Sequence, residues 1–327
     1  MKVLCDRLIE ESVFDKPVEN CDYPIYRIPS IVSAKNGDLH IAYECRQGSD
    51  WSVIDIGYKK STDGGRTWTD RKVLADGKGR NACNNPCFIV DGNTIHFLYC
   101  ENYKRMFHKY SNDYGENWSQ ANEITEIFDS YYWSCVAVGP GHGLSAHGKL
   151  IAPVWLAMNQ KDMFSHHPSE IAVIISDDCG QSWHCASVNK GDLIDPSESC
   201  VALLANGNLL LNIRNENKER CRAIAFSHDA VEWSEPHFVP FLPDPVCCGG
   251  MCNEPNGILF VNCCSQKNRE NLTLYALTDF LEVIEKLRIR ELGGYSDITY
   301  NKKSGTAFVL YETNECRQMR IAEIDIS

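Results

Sequence analysis

Seventeen cysteines and ten histidines make metal or thiol chemistry the first question raised by this chain of 327 residues. Cys247, Cys248, Cys252, Cys263 and Cys264 lie close enough in sequence to be considered as metal ligands. Zinc sites, however, usually draw on two separated pairs of the CxxC type, and adjacent cysteines on a strand point to opposite faces and do not easily share one ion. Core packing is the better reading of these thiols. An odd total leaves at least one cysteine unpaired, which fits reduced thiols rather than a secreted disulfide framework. His166 and His167, adjacent in a polar stretch that ends at Pro168, read as loop residues rather than ligands.

The other recurring polar residues belong to a structural repeat. The pattern SxDxGxTW is complete at Ser61, Asp63, Gly65, Thr67 and Trp68. It returns at Ser111, Asp113, Gly115 and Trp118, and again at Ser176, Asp178, Gly180, Ser182 and Trp183. A fourth copy, at Ser227, Asp229 and Trp233, lacks the glycine, and Thr278 and Asp279 resemble a fifth remnant. Ser and Asp side chains can bond nearby backbone amides, Gly permits a positive φ, and Trp fills the space beside a hairpin. The motif is therefore a turn, and no chemistry is assigned to it.

Successive serines of the repeat are 50, 65 and 51 residues apart, the size of a four-stranded propeller blade with variable loops. Short runs rich in β-formers, such as IDIGYKK, EIAVII and RAIAF, precede the turns. The length accommodates roughly six such blades. The expected fold is all-β, a six-bladed β-propeller of four-stranded antiparallel blades, formed by residues 1–327 as a single domain. DFLEVIEKLRIRE alone carries a helix-like charge mixture, and its Val283, Ile284, Leu287 and Ile289 fit a strand equally well.

Net charge excludes some partners. With 32 Lys and Arg against 44 Asp and Glu, the chain carries −12, a field that repels phosphate backbones and argues against nucleic acid. A local arginine cluster can still form a positive pocket for a small anion. No stretch approaches the ~20 apolar residues that cross a bilayer, so no membrane partner is expected. Asp6, Arg7, Glu10 and Glu11 stand where a signal peptide needs an apolar segment, which gives the expectation of a cytoplasmic protein.

Tyr26, Arg27, Ile28 and Pro29 form YRIP at the start of an apolar run. Followed by several SxDxGxTW turns, this element resembles the signature of the sialidases, exo-acting enzymes that release terminal sialic acids. The resemblance extends from Arg27 to Glu312 and implies the same six-bladed propeller. It also implies roles for particular residues. Arg27, Arg214 and Arg269 match the three arginines that hold the sugar carboxylate, where forked guanidiniums donate charge-assisted hydrogen bonds that a lysine would not reproduce. Tyr295, in GGYSD, matches the nucleophile, and Glu198 the glutamate that activates it. A free tyrosine, with a pKa near 10, needs such a base. Asp50 matches the acid/base, four residues beyond Arg46, with Asp55 as the competitor. Asp50 is preferred because Asp55 enters a strand whose alternation can direct it elsewhere.

Arg46 resembles an additional arginine on the C4 side of the sugar, or else pairs with Glu44 or another loop carboxylate. Asn85 stands near C4 or the acyl group, and Glu312 resembles the glutamate that orients Arg27. Trp133 lines the acyl pocket or belongs to the core.

The resemblance thus implies a retaining exo-sialidase working through a covalent tyrosyl-glycosyl intermediate on sialylated oligosaccharides or glycoconjugates, without metal or organic cofactor. Sialidases are an exception to the two-carboxylate scheme of most glycosidases. Three alternatives share the pattern: a trans-sialidase, a hydrolase for a deaminated or otherwise modified nonulosonic acid, and a noncatalytic carbohydrate-binding propeller.

Overall fold

A computed structural model describes residues 1–12 and 23–327. Its strands form six sheets. The first blade comprises Ile25–Ser33, Leu39–Arg46, Ile54–Ser61 and Lys72–Ala75. The second contains Cys83–Asp91, Thr94–Glu101, Arg105–Ser111 and Asn122–Glu123. Cys135–Val138, Lys149–Ala157, Ser169–Ser176 and His184–Ser187 form the third. The fourth is Ser199–Leu203, Leu209–Ile213, Cys221–Ser227 and His237–Pro243, and the fifth Gly250–Glu254, Gly257–Cys263, Glu270–Leu277 and Val283–Leu292. Ser296–Asn301, Thr306–Thr313 and Gln318–Asp325 make the sixth, whose outer edge is Lys2–Glu11.

Neighbouring blades touch all the way round through their inner strands, except that Lys149–Ala157 of the third blade meets Ser199–Leu203 of the fourth; Ser296–Asn301 lies against Ile25–Ser33 at the closure. The fold is therefore the expected six-bladed β-propeller. Four sheets have four strands, while the second and third blades each gain a fifth. Gly141–His142 runs parallel to Cys83–Asp91, and Leu144–Ala146 pairs with Lys149–Ala157. DFLEVIEKLRIRE supplies the edge strand Val283–Leu292 rather than a helix. The helical segment among the described residues is one 3₁₀ turn, Thr125–Phe128. Among the described residues no helix is long and apolar enough to cross a membrane.

Strand alternation explains the ring. In the third blade Ile171, Val173 and Ile175 pack toward Val201 and Leu211 of the fourth, whereas Ala172 and Ile174 pack toward Leu98 and Cys100 of the second. A sheet apolar on both faces must be covered on both faces, and a neighbour on each side does this. Six apolar clusters accordingly fill the six gaps between blades.

Each SxDxGxTW turn joins the third strand of a blade to the fourth. Ser61 Oγ accepts the Gly65 amide at 2.9 Å, and Asp63 Oδ1 accepts the amides of Arg66 and Thr67 at 3.1 and 2.9 Å. At Gly115, with φ +80°, an added Cβ would lie 2.1 Å from the Tyr58 hydroxyl, so both conformation and space call for glycine. In the decayed copy Ala230 takes the left-handed conformation instead, at φ 68°. Thr278 Oγ1 receives the Phe280 and Glu282 amides, which places the fifth remnant at the equivalent turn. The sixth blade has no such turn because its fourth strand is Lys2–Glu11.

Sixteen cysteines are free thiols; Cys21 lies outside the described residues. Cys247, Cys248 and Cys263 pack with Ile28 and Tyr295, and Cys252 lies in the gap between the fifth and sixth blades.

Candidate active site

Antiparallel order sends the start of every first strand and the end of every second strand to one rim of the ring. The SxDxGxTW turns lie on the other rim. Arg27 and Asn85 lie on first strands, and Glu198 and Tyr295 immediately precede first strands. Arg46 and Glu312 lie near second-strand ends, with Arg214 one residue beyond such an end. Asp50 and Arg269 occupy loops that follow second strands. One cleft of about 680 Å³, open mouth included, is lined by Arg27, Arg46, Asp50, Asn85, Glu198, Arg214, Arg269 and Tyr295. The structure thus gathers these eight residues, from five of the six blades.

Local backbone explains the approach of Arg27. Pairing with the neighbouring strand is interrupted by a bulge between Arg27 and Ser30, where Ile28 has φ 56°. Such a conformation is uncommon for a β-branched residue and persists only where its surroundings hold it. Here the Ile28 amide donates to Glu312 Oε1 at 2.8 Å, and Arg27 Nε donates to the same oxygen at 3.2 Å. Glu312 Oε2 accepts the Tyr295 amide at 3.2 Å. This buried carboxylate therefore fixes Arg27 and the backbone of Tyr295 together. Asn85 repeats the bulge at φ 55°, also before a proline, and its amide donates to Glu44 Oε1 at 2.7 Å.

Tyr295 is buried, and its hydroxyl accepts from Arg214 Nη1 at 2.8 Å. The same nitrogen donates to Glu198 Oε2. Among the described residues no hydrogen bond joins Glu198 directly to Tyr295, so Arg214 stands between the two. The guanidinium carbons of Arg27 and Arg269 lie 4.7 and 5.0 Å from the centre of the Tyr295 ring, close enough for cation–π attraction. Burial raises the phenol well above its ordinary value, Glu198 adds to the rise, and the three arginines oppose it. The resting side chain is a neutral phenol.

Arg46 Nε donates to Glu44 Oε2 at 2.5 Å, and Arg46 Nη1 donates to Asp50 Oδ1. Arg46 therefore both lines the cleft and makes the carboxylate pair that was its alternative reading. Arg27 Nη1 stands 3.6 Å from the same Asp50 oxygen. Burial raises the Asp50 pKa, but Arg46 and Arg27 outweigh it and the net shift is downward. Asp55 faces elsewhere: it accepts from the Tyr23 hydroxyl and, at 2.7 Å, from the Gly77 amide. Arg269 has no hydrogen-bonded carboxylate among the described residues and is exposed at the cleft mouth.

Trp133 does not line the cleft. Its indole donates to Phe128 O at 3.1 Å and packs on the second–third blade core. Tyr103, Trp155 and His166 line that side instead. His166 lies between Tyr103, Trp155 and Trp51, and burial lowers its pKa while Asp50 and Glu198 oppose the shift. Neither the histidine pair nor the apolar strand holding Trp155 signals this from sequence alone. The signal available was positional, since Trp155 lies near the end of a second strand and Tyr103 and His166 lie in loops that follow second strands.

The chain matches the BNR repeat-like domain over residues 37–304 and belongs to that family. It is similar to the sialidase of Bacteroides fragilis, 25% identical over 292 residues, 76% of this chain and 52% of that protein. The sialidase of Micromonospora viridifaciens is 24% identical over 331 residues, 89% of this chain and 50% of that one. The chain thus spans about half the length of these two relatives. Among solved structures, the Hadza microbial sialidase Hz136 superposes with a TM-score of 0.82 at 22% identity, covering 100% of this chain and 74% of its own.

Proposed function

We propose that this chain is an exo-acting retaining sialidase whose ring is its catalytic domain. The observation that carries the reading is the convergence of Arg27, Arg214 and Arg269 on one buried tyrosine, with Asp50 and Glu198 in the same cleft. Three guanidiniums around one point suit a carboxylate. A sugar with its carboxylate on the anomeric carbon would repel an Asp or Glu nucleophile, whereas a neutral phenol meets no such repulsion.

The substrate carboxylate competes with Glu198 for Arg214, and the freed Glu198 oxygen accepts the Tyr295 proton. Tyr295 Oη attacks C2 as the bond from C2 to the leaving oxygen breaks, and protonated Asp50 gives its proton to that oxygen. Asp50, now ionised, takes a proton from water. The water oxygen attacks C2, the tyrosyl bond breaks, and Glu198 returns the proton to Tyr295. Two displacements retain configuration. Substrates are sialylated oligosaccharides or glycoconjugates.

The test is release of a fluorescent phenol from an aryl α-glycoside of N-acetylneuraminic acid by wild type and Tyr295→Phe. Turnover by the wild type, lost in a variant with unchanged melting temperature, is expected. A fully active variant removes Tyr295 as nucleophile, and an inactive wild type removes this substrate. Lactose added to the reaction separates hydrolysis from transfer.

A further inference from the structure

Beside the cleft, His167, Asp195 and Glu216 come from three separate segments. His167 ends the loop after Lys149–Ala157, Asp195 lies three residues before Glu198, and Glu216 two residues after Arg214. One ring nitrogen and one oxygen from each carboxylate all lie within 4.8 Å of one another. His167 Nδ1 stands 3.6 Å from Asp195 Oδ2, and Nε2 stands 3.6 Å from Glu216 Oε1. These separations are too long for hydrogen bonds. An ion takes only one of the two ring nitrogens, so one of these separations stands near the edge of a coordination tetrahedron, about 3.4 Å for metal–ligand bonds of about 2.1 Å, and the other carboxylate has to swing toward that same nitrogen.

Charge points the same way. Among the described residues no lysine or arginine pairs with Asp195 or Glu216, and the neighbouring Arg214 is engaged by Glu198. Two carboxylates therefore share one imidazole. The segments that carry them are tied together: Ser169 N donates to Asp195 Oδ1 at 3.0 Å, and Glu216 N donates to Ile194 O at 2.8 Å. The half-exposed His167 ring and partly exposed Glu216 side chain can close the remaining distance by rotation.

We propose that His167, Asp195 and Glu216 form a binding site for a divalent transition metal of the zinc type. An imidazole with two carboxylates suits such ions, whereas calcium prefers six to eight oxygen ligands. The fourth position faces solvent and takes water. The ion joins the loop bearing His166 to the segments bearing Glu198 and Arg214, so it stiffens one wall of the cleft without entering the reaction. His167, set aside from sequence as a loop residue, does lie on a loop and becomes a ligand there. The inference depends on no catalytic assignment.

Co²⁺ reports the site by its visible d–d absorption. The full chain, freed of metal with a chelator at pH 8 in a Cys179→Ser background, is titrated with Co²⁺ and then with Zn²⁺, and its thermal unfolding is followed in parallel. Cys179 is removed because it is the exposed thiol among the described residues. Saturable absorption without a thiolate charge-transfer band is expected, displaced by Zn²⁺, with unfolding raised by a few degrees. His167→Ala and Glu216→Gln should each weaken binding at least tenfold while melting like the metal-free parent. No saturable absorption overturns the proposal. So does equal affinity in both variants, or a thiolate band that accounts for the binding.

Discussion

Replacing Glu312 by Gln tests the charge beneath the arginine clamp. Both carboxylate oxygens are committed, Oε1 to the Ile28 amide and Arg27 Nε, Oε2 to the Tyr295 amide and the Cys316 thiol. A glutamine of the same shape offers one acceptor and one NH₂ group, so one of these backbone amides then faces a donor. The lost charge matters more. Glu312 is fully buried, and Arg27, with 16% of its side chain exposed, would keep Asp50 at 3.6 Å as its one carboxylate partner among the described residues. Breaking a buried pair by removing one partner costs about 3–5 kcal/mol. The residual attraction to Asp50 returns part of this, and about 3 kcal/mol remains. That is roughly a hundredfold change in the folding equilibrium. Urea unfolding followed by tryptophan fluorescence measures it as a lower midpoint at unchanged slope. Initial rates on the aryl sialoside should show a raised KM, because an untethered Arg27 swings toward Asp50. A midpoint equal to wild type with an unchanged KM would refute the reasoning, since neither Arg27 nor the Ile28 bulge would then depend on that carboxylate.

Arg269→Ala should lower kcat/KM by about 10- to 100-fold, the loss of one charged hydrogen-bonding group, and Arg269→Lys should restore little because the fork is absent; wild-type kinetics in both variants would take Arg269 out of the clamp. Asp50 must be protonated to act as the acid, yet Arg46 and Arg27 hold its pKa below the ordinary value in the free protein. A bound carboxylate offsets those cations, so the fall of kcat with rising pH should lie at higher pH than that of kcat/KM, and coincident limbs would contradict this. Hydrogen bonds within the turns lower Asp113 and Asp178 to about 2. Depressed carboxylates contribute stability above their unfolded pKa near 4 and lose it as pH falls toward 2. Melting temperature should therefore drop across that window, less steeply in Asp178→Asn; an identical slope would mean the turn carboxylates do not set it.

Much of the ring was legible because its turns need particular atoms. Ser61, Asp63 and Gly65 recur since a hydroxyl, a carboxylate and a positive φ are what close the hairpin between third and fourth strands. The first strand's place was not legible, because Lys2–Glu11 pairs with Gln318–Asp325 across the length of the chain and no local pattern encodes that partner. Asp50 was separable from Asp55 by alternation, and Asp55 indeed turns to Tyr23 and Gly77. Trp133 and Trp155 were not separable in this way. Both sit in apolar stretches of the third blade, and only the packing of Trp133 on Phe128 shows which of them faces the core alone. Glu44 also escaped a role of its own, although it links Arg46 to the Asn85 bulge.

The cleft region does not attract an anion by simple excess charge. Arg27, Arg46, Arg214 and Arg269 are matched in number by Glu44, Asp50, Glu198 and Glu312, and the chain as a whole is at −12. What distinguishes the cations is placement. Fully buried Glu312 grips Arg27 through Nε, which leaves its fork directed at the cleft, whereas Arg46 is engaged by the fully buried Glu44 through Nε and Nη2 and by Asp50 through Nη1. Among the described residues Arg27 Nη2 and Arg214 Nε are buried without a hydrogen-bond partner, and Arg269 has no hydrogen-bonded carboxylate. A buried donor left unmet costs about 1–3 kcal/mol, and a ligand carboxylate that meets it recovers that cost on binding. Affinity for a carboxylate then arises from donors fixed in advance and left unsatisfied by the fold, so a neutral analogue lacking the carboxylate would lose most of its binding even though the sugar ring still fits.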